Sequence, residues 1–403
     1  MMKIESIVIA VALAISCSSA PMSERMVASE MRRCPTAADL DGRASTLKWN
    51  YTTGLELKSF LDVAIARSGL TASDPVFSYV DAWYDAIIAE DGKVGGSYKR
   101  SNYNLDHICP ARTLFALYDI SGKEKYRAAM DSIYLQICSQ PQSFVEFGGY
   151  DTGVFWHKKI YPNQQWLDGL YMALPFYAEY CVRYIQSNTE RYVNFDHIAD
   201  QFRIAREKCY DPQTRLLRHA WDASRQMFWC DPVTGQSAHA WGRAMGWYMM
   251  ALVDVLDFIP EDSPARQPLL DILCEMLDTL QEYDDPATGM WYQVLDCPGR
   301  EGNYVESTCS AMFTYVYLKA SQKGYAPQYA DYARELYRKL VQNFIREEAD
   351  GSISLTQCCA VAGLGGKQMR SGDYDYYIHE QICDNDPKGI GPFIWASLLY
   401  ENK

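Results

Sequence analysis

The sequence predicts an all-α protein, a ring of helical hairpins in one domain spanning 22–403. Three observations lead there. Apolar residues recur at helical spacing in about twelve runs. No stretch of alternating Val, Ile and Thr suggests a large sheet. Long loops rich in Gly, Asp, Pro and aromatic residues precede alternate helices, and no low-complexity linker divides the chain.

The elements follow in order. A first helix is expected near 23–33. "LELKSFLDVAIARSG" sets Leu57, Leu61, Ala64 and Ile65 on one face, with Gly69 as a stop. "DPVFSYVDAWYDAII" opens with Asp74 as cap and Pro75 in the first turn, then stripes Val76, Val80, Trp83, Tyr84 and Ile87. Comparable runs cover 106–119, 124–139, 165–185, 194–209, 241–258, 266–283, 306–321, 327–345 and 390–401. Short strands are expected near 93–98, 290–295 and 352–357, as hairpin-like decoration. The long loops, among them "FGGYDTGVFWHKKIYPNQ" and "DDPATGMWYQVLDCPGREGNYVES", would gather at one end of the ring. A rigid scaffold commonly carries its site on such loops.

The net charge of −13 argues against a nucleic-acid partner, although a local basic site would still accept an acidic sugar. Aromatic residues make up 13% of the chain, and flat rings in clefts suit sugars. The N-terminus reads as an export signal: Lys3, then the apolar run Ile7–Ile15, too short to span a membrane. "AISC" ends that run at Cys17 in the manner of a bacterial lipobox, so residues 1–17 are expected to be a lipoprotein signal. The protein would then sit in the periplasm or on the outer membrane, touching the membrane only through a lipid anchor. The remaining cysteines show no Cys-x-x-Cys pair and fall mostly within apolar helical runs, where they read as small buried hydrophobes. The six histidines form no paired metal motif. No metal and no cofactor is expected, and the chain is expected to act as a monomer.

One carboxylate stands out. In "YPNQQWLDGLYMALPFYAEY", Asp168 lies among Trp166, Leu167, Leu170, Tyr171 and Met172. Burial there raises a carboxyl pKa, which suits a proton donor, unless the group is simply a satisfied cap. Seven segments decide the matter together: "WNYTTGLELK", "NYNLDHICPARTLFALYDISG", "FWHKKIYPNQQWLDGLYMALPFYAEY", "LLRHAWD", "WGRAMGWYMMALVD", "YVESTCSAMFTY" and "VAGLGG…SGDYDYYIHEQICDNDPKGIGPF". In this order they resemble the unsaturated rhamnogalacturonyl hydrolases, glycoside hydrolase family 105 of the family 88/105 superfamily. The resemblance runs from about residue 45 onward. It implies an (α/α)6 barrel of six helical hairpins and a substrate ending in a 4,5-unsaturated uronic acid, released from polysaccharide by a lyase. Its C4=C5 bond is a vinyl ether. Protonation at C4 puts positive charge at C5, water adds there, and the hemiketal collapses with loss of the glycosidic bond. Ordinary glycosidases protonate the leaving oxygen instead.

The resemblance assigns roles residue by residue. Asp168 matches the proton donor, and its apolar surroundings would help keep it protonated. Asp106, in "NLDH", is the second catalytic candidate, a carboxylate facing the same cavity that could bind sugar hydroxyls, hold water or shift the pKa of Asp168, although it also suits the N-cap of the helix that follows. Tyr51, His157, Trp166, Met172, His219 and Trp221 match cavity positions. Arg243 is the candidate for the uronate carboxylate, because a guanidinium grips one with two parallel hydrogen bonds. Trp241 and Trp247 flank it and could stack on the sugar. Ala244 and Met245 replace the Gly and Asn of the commoner "RGNGW" form, which puts the aglycone in doubt. His239 has weaker support, and His107 and His379 are candidates for supporting positions. Two other readings remain: an unsaturated glucuronyl hydrolase of family 88, acting on glycosaminoglycan, ulvan or glucuronan fragments, and a non-catalytic sugar-binding lipoprotein.

Overall fold

A computed structural model describes residues 20–41, 47–67 and 70–402; Cys17 and Gly69 lie outside them. The helices are α1 (Met22–Arg33), α2 (Tyr51–Ala66), α3 (Pro75–Ile87), α4 (Arg112–Ser121), α5 (Glu124–Cys138), α6 (Leu167–Tyr184), α7 (Asn188–Cys209), α8 (Gly242–Val255), α9 (Arg266–Gln281), α10 (Ser307–Gln322), α11 (Ala330–Phe344), the short α12 (Tyr374–Ile378) and α13 (Pro387–Glu401). Each helical run expected from the sequence is present.

They pair as six hairpins: α2 with α3, α4 with α5, α6 with α7, α8 with α9, α10 with α11, and α13 with α1. The first member of each pair faces inward, and α6, α8, α10, α13 and α2 pack side by side in that order. This is the expected (α/α)6 barrel. Burial separates the two layers. Every residue of α8 is buried, as an inner helix requires. Outer α11 buries only Ala333, Leu336, Tyr337, Leu340 and Phe344, a single stripe. Close approach of the inner helices rests on small residues. A Cβ on Gly242 would meet Cys309 Sγ at 2.8 Å, and one on Gly246 would meet Met312 Sδ at 2.4 Å, so α8 and α10 touch there only because both are glycine.

Local chemistry sets the ends. Asp74 Oδ1 accepts from Val76 N at 2.8 Å and Phe77 N at 3.3 Å, the expected cap of α3. On α2, Leu57, Leu61 and Ala64 are buried, but Ile65 is 45% exposed, because the buried face turns toward Phe60 and Val63. The ring closes through its terminal helices, where Ser23 N donates to Glu401 Oε1 at 3.0 Å. Among the described residues no helix is long and apolar enough to cross a membrane. All twelve described cysteines are free, and most are buried.

The strands depart most from expectation. Only β5 (Ile345–Glu347) with β6 (Ile353–Leu355) falls near an expected site; 93–98 and 290–295 make isolated bridges instead. The largest pair, β1 (Gln142–Phe147) with β2 (Tyr150–Phe155), is a hairpin turned by Gly148 and Gly149, at φ 63° and 88°. Two residues at positive φ match the twist of the strands. The other pairs are β3 (Gln164–Trp166) with β4 (Ala220–Asp222), and β7 (Cys358–Cys359) with β8 (Ile382–Cys383).

Candidate active site

The N-terminal ends of the inner helices carry the chemistry. Tyr51 opens α2, Asp168 is the second residue of α6, and Arg243 is the second of α8. Helix N-termini favour negative charge, so this end of the ring suits an anion. Backbone hydrogen bonds lace the intervening loops together: Leu105 N to His157 O, His157 N to Gln164 O, Leu167 N to His219 O and His219 N to His239 O, at 2.9–3.1 Å. They fix the two histidines beside the two carboxylates.

Neither aspartate is a cap. Asn104, not Asp106, accepts from the backbone of the short helix at 105–107. The Asp106 carboxylate instead lies 2.6 Å from Lys158 Nζ and 3.2 Å from His157 Nε2. Burial pushes its pKa up, but Lys158 and His157 outweigh burial and hold it well below the usual carboxylate range. Asp106 is therefore ionised. Lys158 went unrecognised in the sequence, though it stands beside His157 in "FWHKK".

Asp168 lies with its Oδ2 3.2 Å from His219 Nε2. Burial is again the largest influence and raises its pKa; His219, His157 and Arg243 together reverse it, so the net shift is downward. The expectation that apolar surroundings keep Asp168 protonated fails for the free protein, because polar partners share its pocket. His219 is fully buried, and its Nδ1 lies 2.7 Å from Tyr377 Oη. A Cβ at Gly169 would come within 2.7 Å of His157 Nδ1, so glycine beside Asp168 lets the second histidine in.

Trp166 organises both histidines. It stacks on His157 at 5.0 Å and on Tyr161 at 5.3 Å, each within 6° of parallel, and meets His219 edge-on at 5.3 Å. Only 7% exposed, it has little face left for a sugar. Trp241 stacks on Tyr377 and lies under the Arg243 guanidinium at 4.5 Å; Trp247 sits between Tyr51 and Tyr171. Each is 1% exposed, so neither presents a stacking surface, contrary to expectation. Met172 is buried core one turn along α6 from Asp168. Trp221 is not part of the group: its Nε1 donates to Thr234 O at 3.1 Å and Lys208 lies over its ring.

Arg243 is 2% exposed. One Nη donates to Cys359 O, its Nε has no partner, and no carboxylate lies within ion-pair distance among the described residues. Tyr51 feels Arg243, Asp106 and Asp168 at once, which places it among them. The remaining histidines stand apart. His107 is largely buried beside Tyr98, and burial lowers its pKa. His379 bonds back to Asp375 O. His239 pairs with Asp296 at 2.9 Å, near Cys297. That trio has metal-ligand spacing, but Arg218 lies 4.0 Å from the same Asp296 oxygen and already supplies positive charge.

A ring of helical hairpins that brings two histidine-flanked carboxylates to one end has the architecture of a helical-barrel glycosidase. The chain belongs to Glycosyl Hydrolase Family 88, whose sequence profile matches residues 22–402. It is similar to a family 105 glycoside hydrolase from C. acetobutylicum ATCC 824, 39% identical, covering 95% of this chain and 100% of that one with a TM-score of 0.86. Protein Atu3128 of Agrobacterium fabrum is 35% identical over 232 residues, 56% of this chain and 96% of its own length. The unsaturated glucuronyl hydrolase of Bacillus sp. GL1, responsible for degradation of glycosaminoglycan, shares the fold at 12% identity and a TM-score of 0.60, covering 94% of this chain and 95% of its own.

Proposed function

We propose that the protein removes a 4,5-unsaturated uronic acid from the non-reducing end of lyase-generated oligosaccharides, rhamnogalacturonan-type fragments first, by hydrating the C4=C5 vinyl ether. The observation that carries the reading is Arg243, a buried cation with no carboxylate at ion-pair distance among the described residues, electrostatically coupled to Asp168. It offers the uronate a partner next to an acid. A bound uronate neutralises Arg243 and adds a negative charge of its own, which moves Asp168 back toward its protonated form. Asp168 then gives its proton to C4. Once a carboxylate, it takes a proton from the water that adds to C5. Asp106, clamped by Lys158 and His157, is too weak a base for that step and serves to hold sugar hydroxyls. The "WLDGLYMA" and "AGLGG" segments and the likeness to a family 105 hydrolase favour the rhamnogalacturonan class.

Asp168→Asn keeps shape and hydrogen bonding but delivers no carboxylic proton. We expect turnover to fall by at least about 10²–10⁴-fold with the fold intact, read as persistence of the ultraviolet band of the unsaturated uronate. In heavy water and oxygen-labelled water, the wild type should place deuterium at C4 and label at C5. Label at C1 with the double bond intact would mean ordinary glycoside hydrolysis. A panel of oligosaccharides separates glycosaminoglycan, ulvan and glucuronan substrates, and a mere sugar binder would leave the band untouched throughout.

The export reading is part of the proposal. Cys17 carries lipid and tethers the enzyme to a bacterial envelope, a reading supported by "AISC" after a short apolar run. Cys17→Ala should release the protein or leave an uncleaved precursor. Mature protein starting well downstream and partitioning wholly into water would refute it.

A further inference from the structure

We propose that Tyr377 is a positioning residue: its hydroxyl fixes the tautomer of His219, so that His219 presents an N–H, never a lone pair, to Asp168. The geometry is a chain of three side chains, two fully buried and the third, Asp168, partly exposed. Tyr377 Oη lies 2.7 Å from His219 Nδ1, and His219 Nε2 lies 3.2 Å from Asp168 Oδ2. Tyr377 and His219 are both fully buried, so water does not compete for either ring nitrogen. Burial, the largest influence, raises the phenol far above its ordinary pKa, so it keeps its proton. A phenol has one proton to donate, and a neutral imidazole has one donor and one acceptor nitrogen. With Tyr377 donating to Nδ1, the imidazole proton sits on Nε2, the ring nitrogen beside Asp168, though the two atoms are not aligned as a hydrogen bond in the free protein.

This gives α12 a task. It follows the loop at Gly372, and its Tyr377 ring is held by stacking on Trp241, 5.8 Å away and 20° from parallel. The consequence, which rests on the function proposed above, concerns where the catalytic proton resides. His219 in this tautomer steadies the Asp168 carboxylate after it has protonated C4. It has no lone pair free on the Asp168 side, so it takes no proton from Asp168 beforehand. The carboxyl, not the imidazole, is the store.

Tyr377→Phe keeps the ring and its stack but removes the hydroxyl. We expect kcat to fall about five- to tenfold, the worth of one hydrogen bond, with KM little changed. In a His219→Gln background, the same change should cost nothing further, since its route to Asp168 is gone. Equal loss in both backgrounds would make Tyr377 a packing residue and overturn the proposal. A second measurement needs no substrate. Nitrogen-15 NMR of the free enzyme, with the His219 signal assigned from the His219→Gln spectrum, should show the Nε2–H tautomer in wild type and its loss in Tyr377→Phe. An Nδ1–H or doubly protonated ring in wild type would overturn the proposal. If instead that tautomer is found and the wild type leaves every unsaturated oligosaccharide intact, the substrate reading fails and the tautomer assignment stands.

Discussion

Arg243 carries its charge almost fully buried, with one Nη on the Cys359 carbonyl and its face on Trp241. Lysine at that position keeps the charge and loses the planar fork. Arg243→Lys should raise KM on a unsaturated uronide at least about tenfold, some 1.5–3 kcal/mol of charge-assisted hydrogen bonding, while circular dichroism stays unchanged. Unaltered kinetics would assign Arg243 to structure. Asp168, Asp106, both site histidines and Arg243 were legible in the sequence because each stands in a short segment with a recognisable order. Lys158 and Tyr377 were not. The first lysine in "HKK" and the third tyrosine in "DYDYY" look like surface filler until the fold brings them to a carboxylate and an imidazole. The tryptophans erred in the opposite direction. Trp241 and Trp247 read as sugar platforms, but the ring of inner helices buries both, one at the start of α8 and one within it.

Helix α8 also ties the inner ring together away from the site. Asp254 accepts from Arg112 of α4 at 2.8 Å, Lys319 of α10 at 2.7 Å and Tyr315 of α10 at 2.6 Å. Burial raises its pKa, but Lys319 and Arg112 prevail and hold it well below the ordinary range. The sign of the pH effect follows. A depressed folded pKa contributes stability that is present above the unfolded carboxylate pKa and lost as the pH falls. Asp254→Asn leaves buried Arg112 without its carboxylate, while Lys319 keeps Asp257 at 2.7 Å, so it should cost about 3 kcal/mol near neutrality and progressively less in acid. Urea melts at a series of pH values measure this; a constant difference would refute the ion-pair account. Among the elements, helices were easier to foresee than strands. A helix of three or four turns repeats its apolar signal, whereas β3, β4, β7 and β8 are two or three residues long. Of the strand pairs the sequence did not reveal, only the β1–β2 hairpin had a signal to find, the Gly148–Gly149 pair.

Over the whole molecule, the alternation of long and short loops made the ring visible, but not the seam where it closes. There, Glu56 of α2 lies buried with neither carboxyl oxygen hydrogen-bonded among the described residues, near Glu30 of α1 and Asp386 at the start of α13. Burial first, then Glu30 and Asp386, raise its pKa well above the ordinary value. A raised folded pKa gives stability that is complete below the unfolded pKa and drains away as the pH climbs through the folded one. Wild type should therefore lose Tm on going to alkaline pH, and Glu56→Gln should flatten that slope. Parallel slopes would show that Glu56 does not titrate at the seam.

The Ser23–Glu401 contact has a meaning in time as well as in space. It belongs to a hairpin whose two helices are the first and last made among those described. At ordinary rates of synthesis, α13 follows α1 by on the order of 20–70 s. Helices themselves form in about a microsecond. For nearly all of that interval α1 lacks its hairpin partner and packs only against α2, and the five other hairpins form an arc with two open flanks. Synthesis, not local folding, thus sets when the last stave is fitted, and until then the buried face of α1 is a ligand for any chaperone that escorts the chain.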